Sequence, residues 1–147
     1  MTSQGRVGVQ RCIGEAIKNS GIDASQVDLV SDHLTATAAD KMEIDNWSET
    51  LNRWNRDFPY INSLKDMIGD CLNAAGSILS VTALLQLYHG FIHPNINCED
   101  PNPEITSIIS SSCIPQRMIE HIARIILKAN FGFGDVNVCL VYSKFSV

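Results

Sequence analysis

The sequence predicts an α/β domain: a mixed, mostly parallel sheet flanked by helices, with one buried central helix. The stretch from Pro59 to Leu87 carries most of this. It passes from a short apolar run (Tyr60, Ile61) through a polar turn holding Lys65, Asp66, Gly69 and Asp70 into a long segment opening with Ala74, Ala75, Gly76 and Ser77. That segment is apolar nearly all round (Leu72, Ile78, Leu79, Val81, Leu84, Leu85, Leu87), so its helix belongs inside a layered domain. A second strand-loop-helix unit precedes it, and two such units in succession imply right-handed crossovers, parallel strands and loops gathered at one sheet edge. The 147 residues, 45% hydrophobic and 18% charged, suit one domain with a core of its own.

Apolar residues at Val9, Cys12, Ile13, Ala16 and Ile17 mark one face of a helix from Val7 to Ser20, and Gly21 is its C-cap. Asp23 to Gln26 is a turn, and Val27 to Val30 a short buried strand with His33 just past its end. The next helix has an inner face of Ile44, Trp47, Leu51, Trp54 and Phe58 and an outer face of Lys41, Asp45, Glu49 and Arg53. A second strand lies near Tyr60 to Ser63, and the long helix stops around His89 and Gly90. Pro94, Pro101 and Pro103, interleaved with asparagines, make an extended loop. Thr106 to Ser110 reads as a strand and Pro115 as the start of a short helix through Ile119. Periodicity leaves open where that helix ends and a strand through Ile125, Ile126 and Leu127 begins. A Phe-Gly-Phe-Gly-Asp turn from Phe131 leads into an alternating strand from Val136 to Tyr142.

The net charge of −5 gives no electrostatic reason to expect nucleic acid or an anionic membrane as partner. No apolar run reaches the roughly 18 residues needed to span a bilayer, and the first six residues lack a secretion-signal core, so a cytoplasmic protein is expected. Five cysteines without Cys-x-x-Cys spacing point to free thiols. His89 and His93 have the spacing of a helical zinc pair, but Gly90 and Pro94 interrupt the helix and no third ligand is evident; no metal or cofactor is expected. His33 and Lys65 each follow a parallel strand, so their loops can share a cleft.

Four segments resemble a known family. GIDASQVDLVSDHLTAT is similar to the helix end, strand and histidine loop of the β-ketoacyl-acyl carrier protein synthases, condensing enzymes of the thiolase fold. Asp40-Lys41-Met42-Glu43 resembles their Asp-Lys-x-Glu helix start. Lys65 to Asp70 followed by Asn73-Ala74-Ala75-Gly76 resembles their Lys-Ser-x-x-Gly-His loop and Gly-Ala-Ala-Gly helix. Asn130 to Gly134 with Asn137 resembles their Asn-Ser-Phe-Gly-Phe-Gly-Gly-x-Asn turn. The resemblance runs in family order and spacing over nearly the whole chain, and it implies that residues 1–147 are a C-terminal thiolase-like half without the nucleophile half.

The resemblance implies decarboxylative Claisen condensation in fatty acid or polyketide synthesis, with acyl carrier protein and acyl or malonyl thioesters as partners. It implies His33 as a hydrogen-bond donor to the malonyl thioester and Lys65 in a buried ion pair with Glu43. It places Thr35, Thr37, Phe131 and Phe133 beside the substrate. The family's nucleophilic cysteine lies in the N-terminal half and none of the five cysteines here matches it. Its second histidine is Asp70, which as a carboxylate only accepts hydrogen bonds and repels an enolate. Leu34 and Asp135 stand where glycines are usual.

Two readings follow: the C-terminal part of a synthase, inactive alone, or a non-catalytic partner subunit resembling a chain-length factor. Both expect an N-terminal half or partner subunit and a homo- or hetero-dimer. Plainer readings also stand: Lys65 and Glu43 as a structural ion pair, Asp70 as a helix N-cap, the two phenylalanines as core plugs. Cys71, at a helix start, is disfavoured as a nucleophile by the neighbouring Asp70.

Overall fold

The computed structural model describes residues 6–145, apart from the side chain of Phe133. Helix α1 (Arg6–Ser20) ends at Gly21, which takes a φ of 68°, a left-handed conformation that glycine adopts without strain. In the turn that follows, the Asp23 carboxylate accepts from the Ser25 amide and the Gln26 side chain accepts from the Asp23 amide, a reciprocal cap. Strand β1 (Leu29–Ser31) begins later than predicted. Asp28 turns its carboxylate to the amides of Arg124 and Ile125 at the start of the neighbouring strand.

Helix α2 (Asp40–Leu51) buries Ile44, Trp47 and Leu51. Its inner face does not extend to Trp54, which is exposed, because Asn52 adopts the left-handed conformation (φ 54°) and ends the helix. Phe58 is buried, but from beyond the helix. Arg53, expected on the outer face, donates instead to the carbonyls of Ala24, Val27 and Asp57, tying the end of α2 to the approach to β1. Strand β2 (Tyr60–Asn62) leads through a single-turn helix α3 (Lys65–Ile68) to the long helix α4 (Ala75–His89), stopped by Gly90 at a φ of 72°.

Strand β3 (Phe91–Ile92) pairs antiparallel with β4 (Ile119–Glu120). The strand predicted at Thr106 to Ser110 is replaced by helix α5 (Pro103–Thr106) and a turn. The Asn102 side chain accepts from the Glu104 amide at 2.9 Å and Pro103 fills the first helical position, so capping chemistry outweighs the β-branched residues. Ile109 makes a single bridge to Asn55. The helix predicted from Pro115 through Ile119 also gives way, to irregular backbone over residues 115–118 that enters β4 at Ile119. Strand β5 (Ile125–Gly132) turns at residues 133–135 into β6 (Val136–Ser143).

The main sheet runs β2-β1-β5-β6, with β1 parallel to both β2 and β5, and β6 antiparallel at the edge. Side chains alternate between its faces. Val30, Leu127, Ala129 and Phe131 join α1 and α2 in one core, while Leu29 and Ile126 meet Ala83 and Leu87 of α4 in another. Within this chain the central helix is covered on one side. Leu79 and Ala83 are buried, whereas Val81, Leu84, Leu85 and Tyr88 are exposed, and Val136, Val138 and Leu140 of β6 are exposed beside it. No helix among the described residues is long and apolar enough to cross a membrane.

Candidate functional site

The C-terminal ends of β1 and β2 lie side by side, so the loops leaving them meet. The loop after β1 is held by Asp40, whose carboxylate accepts from the amides of Thr35 (3.2 Å) and Ala36 (2.9 Å). That grip carries Ala36 at a φ of 57°, a conformation costly for a residue with a Cβ. Ser63, just past β2, donates its hydroxyl to the Leu34 carbonyl and its amide to Asn95 Oδ1, both at 3.1 Å, which stitches the two loops to the segment after β3.

His33 and Lys65 meet at the centre of this arrangement. Lys65 Nζ lies 2.8 Å from His33 Nδ1, donates to the His33 carbonyl at 2.6 Å, and stands 3.6 Å from Asp70 Oδ2. Burial, reinforced by the Lys65 charge, pulls the His33 pKa down to about 4, so the ring is neutral at pH 7. Burial also lowers Lys65, opposed chiefly by Asp70. Asp70 accepts from the Leu72 amide at 2.9 Å in a local turn, but it is not a helix N-cap: Cys71 holds that position for the short turn that follows and Ala74 for α4. Among the described residues, Nε2 of His33 has no hydrogen-bond partner.

Glu43 departs from its expected pairing. No ion pair joins it to Lys65; the carboxyl is 0% exposed and neither oxygen has a hydrogen-bond partner among the described residues. Burial first, then the neighbouring Asp32 and Asp40, raise its pKa strongly. Glu43 therefore keeps its proton, and Lys65 turns to His33 and Asp70 instead. Asp32, fully buried next to His33, is raised for the same reason. The Trp47 indole and the His33 amide favour its anion without closing a hydrogen bond of ordinary geometry.

A cavity of about 590 Å³ opens beside Lys65, lined by Thr35, Thr37, Lys65, Asp70, Asn95 and Cys98 among others, while His33 stands behind Lys65 and is not part of the cavity lining. Leu34 also lines it, where a glycine would leave more room. Phe131 does not line it: this side chain is buried in the sheet core, its ring centroid 6.3 Å from that of His33. The side chain of Phe133 lies outside the described residues. Cys98 sits in the cavity wall, but burial and the nearby Asp66 and Glu99 push its thiol up, away from the thiolate that a nucleophile requires. No cluster of His, Cys, Asp and Glu fit for a metal ion occurs among the described residues.

Sequence reasoning passed over Asp32, Asn95, Cys98 and Lys128. Lys128 carried a signal: a lone charge inside the apolar run from Ile125 to Ala129, all five residues of which the fold buries in β5. Asp32 and Asn95 are legible only once β1, β2 and the proline-rich loop are brought together.

Residues 1–99 match the family model described as "Beta-ketoacyl synthase, C-terminal domain". The chain is 29% identical over 140 residues to 3-oxoacyl-[acyl-carrier-protein] synthase I, chloroplastic, of Hordeum vulgare, spanning 95% of this chain and 29% of that protein. It is 30% identical over 139 residues to the chloroplastic synthase II of Arabidopsis thaliana, spanning 94% of this chain and 25% of that one. Among solved structures, the ishigamide ketosynthase/chain length factor superposes with a TM-score of 0.88 at 27% identity, covering 99% of this chain and 34% of that one. A type II PKS acyl-carrier protein in complex with its ketosynthase bound to the hexaketide gives a TM-score of 0.84 at 29% identity, covering 99% and 35%. The chain thus spans about a third or less of the length of these relatives. On the match over its first two thirds and the fold it shares with the ketosynthases, the chain belongs to the beta-ketoacyl synthase family, as a C-terminal domain of thiolase-like fold.

Proposed function

We propose that the chain is the C-terminal half of a condensing site in fatty acid or polyketide synthesis, inactive until a second half brings a nucleophilic cysteine. The contact that carries this reading is Lys65 Nζ against His33 Nδ1 at 2.8 Å, beside a cavity of a size for a small acyl or malonyl group. In the reaction the bond between the malonyl Cα and its carboxylate breaks, and carbon dioxide leaves. The electron pair passes into an enolate, which attacks the acyl thioester and expels its thiolate. A neutral His33 would offer Nε2–H to the enolate oxygen, the kind of preorganised donor that lowers such barriers. Thr35 and Thr37 would line the approach of the thioester, and acyl carrier protein would deliver it. Five free cysteines suit a reducing compartment such as the cytoplasm.

A non-catalytic partner role, like that of a chain-length factor, is favoured by one feature. Where the family places a second histidine, Asp70 accepts hydrogen bonds and offers none to an enolate.

The test is to incubate the purified chain with acyl-carrier protein thioesters and map adducts by mass spectrometry. No acyl group is expected on any of its five cysteines; an adduct on one of them contradicts the need for a second half. Complexed with a nucleophile-bearing N-terminal half, the chain is expected to support malonyl decarboxylation that His33→Ala reduces at least tenfold. Activity indifferent to that change assigns the helper role instead.

A further inference from the structure

Lys128 is 2% exposed, on the same face of β5 as Ile126, where the first turn of α4 covers it. Its ammonium donates to Asn130 Oδ1, two residues along the same face. The nearest side-chain atoms over Gly76 of α4 are these same two, Asn130 Oδ1 at 3.7 Å and Lys128 Nζ at 3.8 Å from a Cβ built there. The other end of the Asn130 amide, Nδ2, lies 3.3 Å from His33 Nδ1.

The chemistry of the two ends fixes the direction of this chain of contacts. An ammonium has only donors, so the amide must present its oxygen to Lys128. That leaves the NH2 facing the imidazole, and an NH2 only donates. His33 Nδ1 must then be a lone pair, and the ring proton sits on Nε2. Lys65 makes the same demand on Nδ1 from the opposite loop. Burial is the strongest influence against a second proton on the ring; of the charges facing it, Lys65 and, more weakly, Lys128 also oppose one, and Asp70 and Asp40 favour one.

We propose that Lys128 acts through Asn130 as a positioning residue, holding His33 in the neutral tautomer with its proton on Nε2 even without Lys65. The ring state stands on contacts within this chain alone. Its use, to offer that proton to a thioester oxygen, rests on the condensing reading above.

The test reads the ring and not turnover. Long-range proton–nitrogen spectra of the full 147-residue chain labelled at its four histidines, with His33 assigned through His33→Gln, separate the two tautomers. Wild type and Lys65→Met are both expected to show the Nε2–H pattern. Lys65→Met/Lys128→Met is expected to show a mixture of tautomers and a His33 titration moved up by roughly one pH unit. Lys65→Met/Lys128→Arg restores the single pattern. Lys65→Met/Asn130→Leu, which keeps the lysine and removes the amide, is expected to mix the tautomers as well. The proposal is overturned if Lys65→Met alone already mixes them, or if the double Met variant keeps a pure Nε2–H ring. It is overturned equally by a wild-type spectrum with the proton on Nδ1, a result that needs no variant.

Discussion

Glu43 is written in the sequence as a charge and sits in the fold as a neutral acid. Its resemblance to a family position beside a lysine was legible; its protonation was not. That depends on Asp32 and Asp40, brought against it by β1 and by the first turn of α2, and on complete burial. The linkage has a definite sign. The folded chain keeps the proton while the unfolded chain releases it above the ordinary value of 4.5, so unfolding releases a proton and stability falls as pH rises. At full difference the slope is about 1.4 kcal/mol per pH unit. Asp32, also raised, contributes in the same direction. Urea denaturation of wild type and Glu43→Gln between neutral and alkaline pH checks this: the wild type is expected to lose stability steeply and the variant much less. Equal slopes would mean that Glu43 is ionised in the folded chain. His33 and Lys65 illustrate the opposite case. Strand order alone put them in neighbouring loops, and the 2.8 Å contact follows from that adjacency.

Among the elements, those with a local stop signal were legible to within a residue or two. Gly21 and Gly90 end α1 and α4 in left-handed conformations, and Asp40 begins α2 where its loop-gripping carboxylate is needed. Trp54 and the segment from Thr106 to Ser110 were misread for related reasons. Asn52 supplied a left-handed stop two residues before Trp54, and Asn102 with Pro103 started a helical turn inside a stretch rich in isoleucine. Helix α4 separates what packing within this chain decides from what it leaves open. Leu79 is fully buried and Leu84 is not. Leu79→Ala is expected to destabilise the chain by about 2–5 kcal/mol through the cavity it leaves. Leu84→Ala should change stability by no more than about 0.5 kcal/mol, yet weaken association with a second half about tenfold. Thermal melts and a binding titration check the pair, and equal destabilisation by both would place Leu84 within this chain's own core.

At the scale of the molecule, the apolar side chains α4 turns outward stand next to the bare face of β6, where Val136, Val138 and Leu140 are exposed. Contiguous apolar surface of this kind marks a contact site, and α4 carries no Asp, Glu, Lys or Arg to keep it in water. The relatives are about three times as long as this chain, and the proposal that a second half covers this face accounts for both facts. Sequence periodicity showed that the helix has no polar side; the fold adds which side this chain leaves uncovered. Sedimentation of the chain alone and with a relative's N-terminal half tests the account most directly. The account expects a chain that self-associates or binds apolar dye when alone and forms a defined one-to-one complex when the half is added. A monodisperse monomer that binds neither dye nor half would contradict it.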